Sequence, residues 1–341
     1  MAALTLVLDA MGGDHGPSIV IDALHDALKL FPQHHFIVVG DEAELKPLLQ
    51  AKNLLEHQRV RLQHASQTVT MSDKPGYSLR AKPDSSMRVA LELIADEQAA
   101  ACISAGNTGA LMTKAYFSLK TLPGVLRPAL MSAIPQASGK SAFLLDLGAN
   151  PVCDSDTLFQ FGIMGAVAAR EVLGIENPRV ALLNMGEEDI KGNDVVKSTA
   201  QLFQQSSSIN YIGFIEGDDL FADKADVIVC DGFVGNIALK SCEGLAELLL
   251  NNIRANINAH WLTRWFVKLF YHRLQRSWDW LKPDHYNGAS LIGLRGVVIK
   301  SHGDANAQAF LSAITQAVEE TQQDLPTRIR DQVEKVLLEQ E

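Results

Sequence analysis

Leu4–Asp14 reads LTLVLDAMGGD. An apolar run ends on Asp9, a turn is built on Gly12 and Gly13, and Asp14 and His15 lead into Gly16-Pro17 and a helical pattern over Ser18–Leu30. A short apolar strand that feeds a glycine turn and then a helix is half of a βαβ unit. The design returns in ACISAGNTGAL around Asn107, SAFLLDLGAN up to Asn150, VALLNMGEEDIKG, VIVCDGFVGN up to Asn236, and VVIKSHGD up to Asp304. The runs LTLVL, FIVVG, AFLLDL, VALLN and DVIVC are continuously apolar. Strands covered on both faces read this way, so the expectation is an α/β protein with a mostly parallel sheet. No linker rich in Pro, Gly or Ser divides the 341 residues, which favours one domain over the whole chain.

Open α/β sheets bind ligands beyond the carboxyl ends of their strands. Glycines there let backbone amides and helix N-termini approach an anion. The GxGxxG dinucleotide fingerprint and the GxxxxGK[ST] phosphate loop are both missing after the first strand. Gly12-Gly13 can serve a turn's shape or an anion equally well. SAGNTGAL and DGFVGNIALK resemble each other: each places a glycine and an Asn at the head of an apolar helix. Asn107 and Asn236 offer side-chain amides, and Ser104 and Thr108 offer hydroxyls, to a phosphate or an oxyanion. Each Asn also suits a helix N-cap.

NMGEEDIKG carries Glu188 and Lys191 on one turn, where Lys191 can neutralise an anionic substrate or belong to a plain charged loop. His302 follows the last strand. The candidate catalytic set is therefore Lys191, Asn107, Asn236, His15 and His302, with phosphate contacts from Gly12, Gly13, Ser104, Gly106, Thr108 and Gly235. Asp9, Asp14, Asn150, Glu188, Asp231 and Lys240 lie in the same turns and complete it.

The formal net charge of -10 argues against nucleic acid as a partner. Four cysteines, none in a CxxC pair, fit a reducing cytosol without a zinc site or a disulfide framework. No signal peptide and no membrane-spanning run are expected.

Two segments break the rhythm. Thr68–Ser86, TVTMSDKPGYSLRAKPDSS, holds two prolines with Lys74, Arg80 and Lys82; it reads as a surface loop or as a mobile basic flap over an anionic ligand. Ala259–Leu281 holds all four tryptophans of the chain, within an excursion spanning about residues 250–285. Leu262, Trp265, Phe266, Leu269 and Phe270 share one helix face, with Arg264, Lys268 and His272 opposite. A basic aromatic helix suits a membrane interface, with Trp261, Trp265, Phe266, Leu269 and Phe270 in contact with lipid. The alternative is a helix packed in a subunit interface.

Taken together and in order, DAMGGD, ACISAGNTGAL, LLDLGAN, ALLNMGEEDIKG, CDGFVGNIALK and YNGASLIGLRGVVIKSHG resemble the phosphate acyltransferases of bacterial phospholipid synthesis, the PlsX family. The match runs from about Leu4 to about Val318. The resemblance implies transfer of a fatty acyl group from acyl carrier protein to inorganic phosphate. Acyl phosphate is the product, and it feeds a membrane glycerol-3-phosphate acyltransferase. It also implies a three-layer α/β/α sandwich, Rossmann-like and related to the isocitrate and isopropylmalate dehydrogenases, with a helical projection. A cytoplasmic homodimer attached peripherally to the membrane, and no cofactor or metal, go with it. Val234 stands where the family often has Thr, and Pro151 where an aliphatic residue is usual.

Phosphate is itself a nucleophile near neutral pH, so the absence of a GxSxG elbow agrees with direct transfer. Two rival readings are a nucleotide-dependent oxidoreductase on a related fold and a non-enzymatic lipid or acyl-carrier binding protein. The first lacks a dinucleotide fingerprint, and the second leaves the anion-type turns without a purpose.

Overall fold

The computed structural model describes residues 3–259 and 288–340. The Trp-rich segment, with Trp261, Trp265, Phe266, Leu269 and Phe270, lies outside the described residues.

Eleven strands form one sheet: β1 (Thr5–Asp9), β2 (His35–Gly40), β3 (Val60–His64), β4 (Ala101–Ser104), β5 (Ala129–Pro135), β6 (Ser141–Leu145), β7 (Arg179–Leu183), β8 (Asn210–Ile215), β9 (Val227–Val229), β10 (Ala289–Ile292) and β11 (Val297–Lys300). Their order is β3-β2-β1-β4-β11-β10-β5-β6-β9-β7-β8. The described helices are α1 (Pro17–Leu30), α2 (Glu42–Ala51), α3 (Pro75–Ala81), α4 (Ser86–Ala95), α5 (Thr108–Leu119), α6 (Ser155–Val172), α7 (Asp194–Gln205), α8 (Gly232–Ala259), α9 (Ala307–Gln322) and α10 (Leu325–Gln340).

The sheet is mostly parallel, as expected, with antiparallel pairing confined to its middle. Strands β3, β2, β1, β4 and β11 are mutually parallel, and so are β6, β9, β7 and β8. The two sets run in opposite directions because β10 pairs antiparallel with both β11 and β5, and β5 pairs antiparallel with β6. Strands β5 and β6 form a hairpin closed by the Gln136 amide, which donates to the Lys140 carbonyl at 2.9 Å, with Gly139 in the left-handed region.

Helices cover both faces. On one face α4 and α5 bury Met87, Leu91, Ile94, Leu111 and Leu119 against Val7, Cys102, Leu144 and Ile228, and Ala238, Leu239 and Cys242 of α8 join them. On the other face α1, α2 and α9 cover the first parallel set, and α6, α7 and α10 cover the second. Polar N-caps start several of these helices: Asp41, Asp154, Asn193 and Asn306 each accept a backbone amide of the first turn. No helix among the described residues is long and apolar enough to cross a membrane.

Candidate active site

One row of paired residues crosses the sheet where both parallel sets end. It runs Asp9, Ser104, Lys300, Ala289, Ser132, Leu144, Ile228, Ala181. Asp9, Ser104 and Lys300 are the last residues of β1, β4 and β11. Leu144 and Ile228 stand one residue before the ends of β6 and β9. The opposed sets are therefore offset, so that their carboxyl ends come to nearly the same line. Residues in one row point to one face, and here that is the face carrying Val7, Cys102 and Val298. The row is polar on its first-set side and apolar at Leu144, Ile228 and Ala181.

The first cluster is built from the turns after β1, β4 and β11. Ser104 Oγ donates to Asp9 Oδ2 at 2.6 Å, and the Gly106 amide donates to Ser104 Oγ at 3.1 Å. Burial pushes the Asp9 carboxyl up, against the opposing pull of Ser104, Ser86, the Met11 amide and Lys300. Asp9 Oδ1 is buried without a hydrogen-bond partner among the described residues. Lys300 is 7% exposed, and its ammonium reaches the carbonyls of Ala105 (3.5 Å) and Ser301. Burial, and then the charge of Lys240, pull Lys300 down to about 8. Asp14 donates its amide to the Gly303 carbonyl at 2.7 Å, tying the β1 turn to the β11 turn.

The glycines of this cluster let turns touch. A Cβ on Gly12 would stand 2.6 Å from the Gly106 nitrogen, and one on Gly13 would stand 3.1 Å from the Gly303 carbonyl. The Gly106 amide donates to Ser104, and the Cα faces of Gly12 and Gly13 meet the turns after β4 and β11.

Residues 68–86, read from the sequence as a surface loop or a mobile flap, are tied by hydrogen bonds beside this cluster. They contain α3, and Gln67 bridges to Ser85. Asn107 Nδ2 donates to the carbonyls of Met71 (2.8 Å) and Asp73 (3.2 Å), while its Oδ1 caps α5 by accepting the Ala110 amide at 3.0 Å. The Asn107 amide thus both caps α5 and holds the preceding segment. Lys82 pairs with Asp73 at 2.5 Å and donates to the Thr68 carbonyl. Fully buried Lys114 donates to the carbonyls of Ser78 (2.9 Å) and Lys82 (3.2 Å), and burial brings it down to about 8. Lys82 from within the segment and Lys114 from α5 hold it in place, while Lys74 and Arg80 are exposed.

The second cluster follows β6 and β9. Asp146 Oδ1 accepts the amides of Leu130 (2.9 Å) and Ala149 (3.0 Å), and its Oδ2 accepts both the amide (2.6 Å) and the Nδ2 (2.9 Å) of Asn150. Burial pushes this carboxyl up, and those four donors oppose the rise. Asn150 is thus a structural brace of the β6 turn. Asp231 caps α8, its Oδ1 accepting the Val234 amide at 2.8 Å. The Gly235 amide donates within the helix to the Asp231 carbonyl at 2.9 Å. Asn236 is exposed on the second turn of α8 rather than at its cap, and it faces Gly148. Lys191, Glu188 and Ile190 are exposed on the loop after β7, next to β9 in the sheet. Lys191 makes no ion pair among the described residues.

Helix α8 joins the clusters. Asn236 abuts Gly148 of the second cluster, and Lys240, one turn on, lies 3.3 Å from His302 Nε2 of the first. A turn rises only 5.4 Å, so both clusters border the same stretch of helix. His302 Nδ1 in turn lies 2.5 Å from Asp304 Oδ1. The structure thereby brings together Asp9, Asp14, Gly12, Gly13, Ser104, Gly106, Asn107, His302 and Lys240 on one side, and Asn150, Asp231, Gly235 and Asn236 on the other. His15 is exposed on the turn after β1, and Thr108 opens α5. Among the described residues no three His, Cys, Asp or Glu side chains form a metal-ligand group.

Sequence reasoning missed Lys300 and Asp146. Each is a charged residue ending or following a continuously apolar strand, in VVIKSH and FLLDLG, and that interruption was the available signal.

The comparisons with known proteins agree along the full chain. The family described as "Fatty acid synthesis protein" matches residues 4–328. A phosphate acyltransferase of Idiomarina loihiensis is 61% identical over 340 residues, covering 100% of both chains. One of Shewanella woodyi is 51% identical over 339 residues, covering 99% of both. Among solved structures, a phosphotransacetylase from Streptococcus pyogenes superimposes with a TM-score of 0.62 at 14% identity, covering 94% of each chain. A branched-chain phosphotransacylase from Enterococcus faecalis gives 0.60 at 18% identity, covering 93% of this chain and 99% of that one. At such identities the two structures speak for the fold alone: a large central sheet between helices. The family match and the full-length relatives lead to one conclusion: the chain belongs to the phosphate acyltransferase family of fatty acid and phospholipid synthesis.

Proposed function

We propose that this enzyme transfers a fatty acyl group from acyl carrier protein to inorganic phosphate, giving acyl phosphate for phospholipid synthesis. Acyl transfer to phosphate follows from family membership. The carrier-bound thioester as donor is the further step, and the family resemblance supports it. The observation that carries the reading is the convergence of two sets of strand ends on one stretch of α8, where cationic and amide side chains gather.

A phosphate oxygen attacks the thioester carbonyl carbon, a tetrahedral oxyanion forms, and the C–S bond breaks to release the carrier thiolate. The protein's part is to position phosphate and stabilise the oxyanion. Lys191 is assigned to charge compensation and Asn236 to neutral donation. His302, held between Asp304 and Lys240, is assigned to proton traffic. A thiolate leaves without needing full protonation, so a strong general acid is not required. Direct transfer also accords with the thiols: burial pushes Cys102 and Cys230 well up and Cys153 up to about 12, which keeps them from acting as nucleophiles.

The same reading carries a kinship of the fold with the isocitrate and isopropylmalate dehydrogenases and a single domain with an excursion at residues 250–285. It also carries a homodimer, and a cytoplasmic protein resting on the membrane through the Trp-rich helix. Supply of product to a membrane glycerol-3-phosphate acyltransferase completes it. Support for these is the family resemblance and the composition of that helix.

The test is to mix the protein with acyl carrier protein thioester and phosphate, and to measure free carrier and acyl phosphate. Release of carrier that ignores phosphate concentration would sink the reading.

A further inference from the structure

The polar row at the end of the first parallel set lacks an explanation in packing. The same face carries Val7, Cys102 and Val298 one pleat earlier, all fully buried. Two residues on, the chain places Asp9, Ser104 and Lys300 side by side. Burying an ammonium costs several kcal/mol unless it is well compensated. Lys300 forms no ion pair among the described residues; its contacts are two carbonyls. The carboxylates of Asp14, Asp9 and Asp304 act on it only through space.

A second ammonium arrives from the other side. Lys240 belongs to α8, which grows out of the second parallel set, yet it reaches His302, two residues beyond Lys300. Lys240 is close enough to lower the proton affinity of Lys300. Lys240 is itself paired with Glu243 at 2.8 Å, which leaves Lys300 as the buried ammonium with no paired carboxylate among the described residues, a charge that an oxyanion beside both lysines would relieve.

We infer that Lys300 and Lys240, one from each half of the sheet, form a two-ammonium clamp that binds the acceptor phosphate at the join between the halves. The inference rests on the reading of phosphate as acyl acceptor, and it adds a binding residue, Lys300, and an address for the anion. Lys191, on the loop after β7, then faces the developing oxyanion rather than the resting phosphate. Because the clamp has one jaw on β11 and one on α8, phosphate would draw the two halves together before acyl donor is engaged.

The experiment uses the full-length protein with inorganic phosphate alone, followed by kinetics. Wild-type protein is expected to gain thermal stability with added phosphate. Lys300→Met and Lys240→Met are each expected to abolish that gain and to raise the phosphate KM roughly 30-fold or more. Lys300→Arg should recover part of it. Lys240 is exposed, so Lys240→Met tests the clamp without threatening the core even where Lys300→Met fails to fold. Wild-type phosphate KM and thermal gain in Lys240→Met would overturn the clamp. So would an unchanged phosphate KM in a folded Lys300→Met. If wild-type protein binds phosphate through both lysines yet forms no acyl phosphate, the functional reading fails and the clamp stands.

Discussion

Asn107 Nδ2 donates to the Met71 carbonyl at 2.8 Å, across 36 residues of chain, while Oδ1 of the same amide caps α5. One side chain thus fastens residues 68–86 and starts a helix. Asn107→Asp separates the tasks, because a carboxylate keeps the cap and loses the donor. Residues 68–86 should then exchange amide hydrogen faster, with α5 unchanged. Asn107→Ala should lose both and cost about 1–2 kcal/mol in denaturant unfolding. Unchanged exchange in Asn107→Asp would show that Lys114 and Lys82 suffice to hold the segment.

Gly235 and Gly244 lie on the same helix and predict opposite outcomes. A Cβ at Gly235 would overlap the Asp146 carbonyl oxygen, whereas Gly244 meets nothing within 4 Å. Gly235→Ala should cost more than about 2 kcal/mol or prevent folding, since backbone cannot yield as a flexible side chain does. Gly244→Ala should be stabilising by about 0.5–1 kcal/mol. Urea titration of both variants is the check.

Glu320 is buried and accepts from Ser290 Oγ (2.7 Å) and Gln316 Nε2 (2.9 Å). Burial raises its carboxyl from 4.5 to about 7. Below 4.5 it is protonated whether folded or not, and its favourable contribution is fully present. Between 4.5 and about 7 only the folded protein keeps the proton, so that contribution is lost as pH rises through this window. Glu320→Gln should therefore melt higher than wild type at pH 8 and lose that advantage near pH 5. Parallel melting curves at both pH values would remove Glu320 from the stability profile.

Lys191→Ala should lower acyl phosphate formation at least about tenfold without changing the melting temperature. Its side chain is exposed and pairs with nothing among the described residues, so the fold does not depend on it. Near-normal turnover would take Lys191 out of the mechanism.

Much of the layering was legible from periodicity: continuous apolar runs gave β1, β2, β6, β7 and β9, and turn chemistry gave α1. The antiparallel join at β10 and β5 was not, because an apolar run reads alike in parallel and antiparallel company. The reversal at β5 and β6 lay in the short polar turn Gln136–Lys140, an ordinary hairpin signal between two apolar stretches. At the site, Asn107 was readable as a cap because its partner is three residues away. Its grip on Met71 was not, since nothing local encodes a contact so distant. The contact between Gly12 and Gly106 was hidden for a related reason: a glycine that makes room for a ligand also makes room for another turn.

The place of β10 and β11 has a consequence for synthesis. These strands come from Ala289–Lys300, late in the chain, yet they sit at the middle of the sheet between β4 and β5. A nascent chain that has emerged only as far as α8 has both of those neighbours exposed as bare edges, open to wrong pairing. It also lacks Lys300 and His302 altogether. The two halves of the protein can take shape early, but they are stitched together last. The polar row of Asp9, Ser104 and Lys300 is complete only when β11 has joined β4.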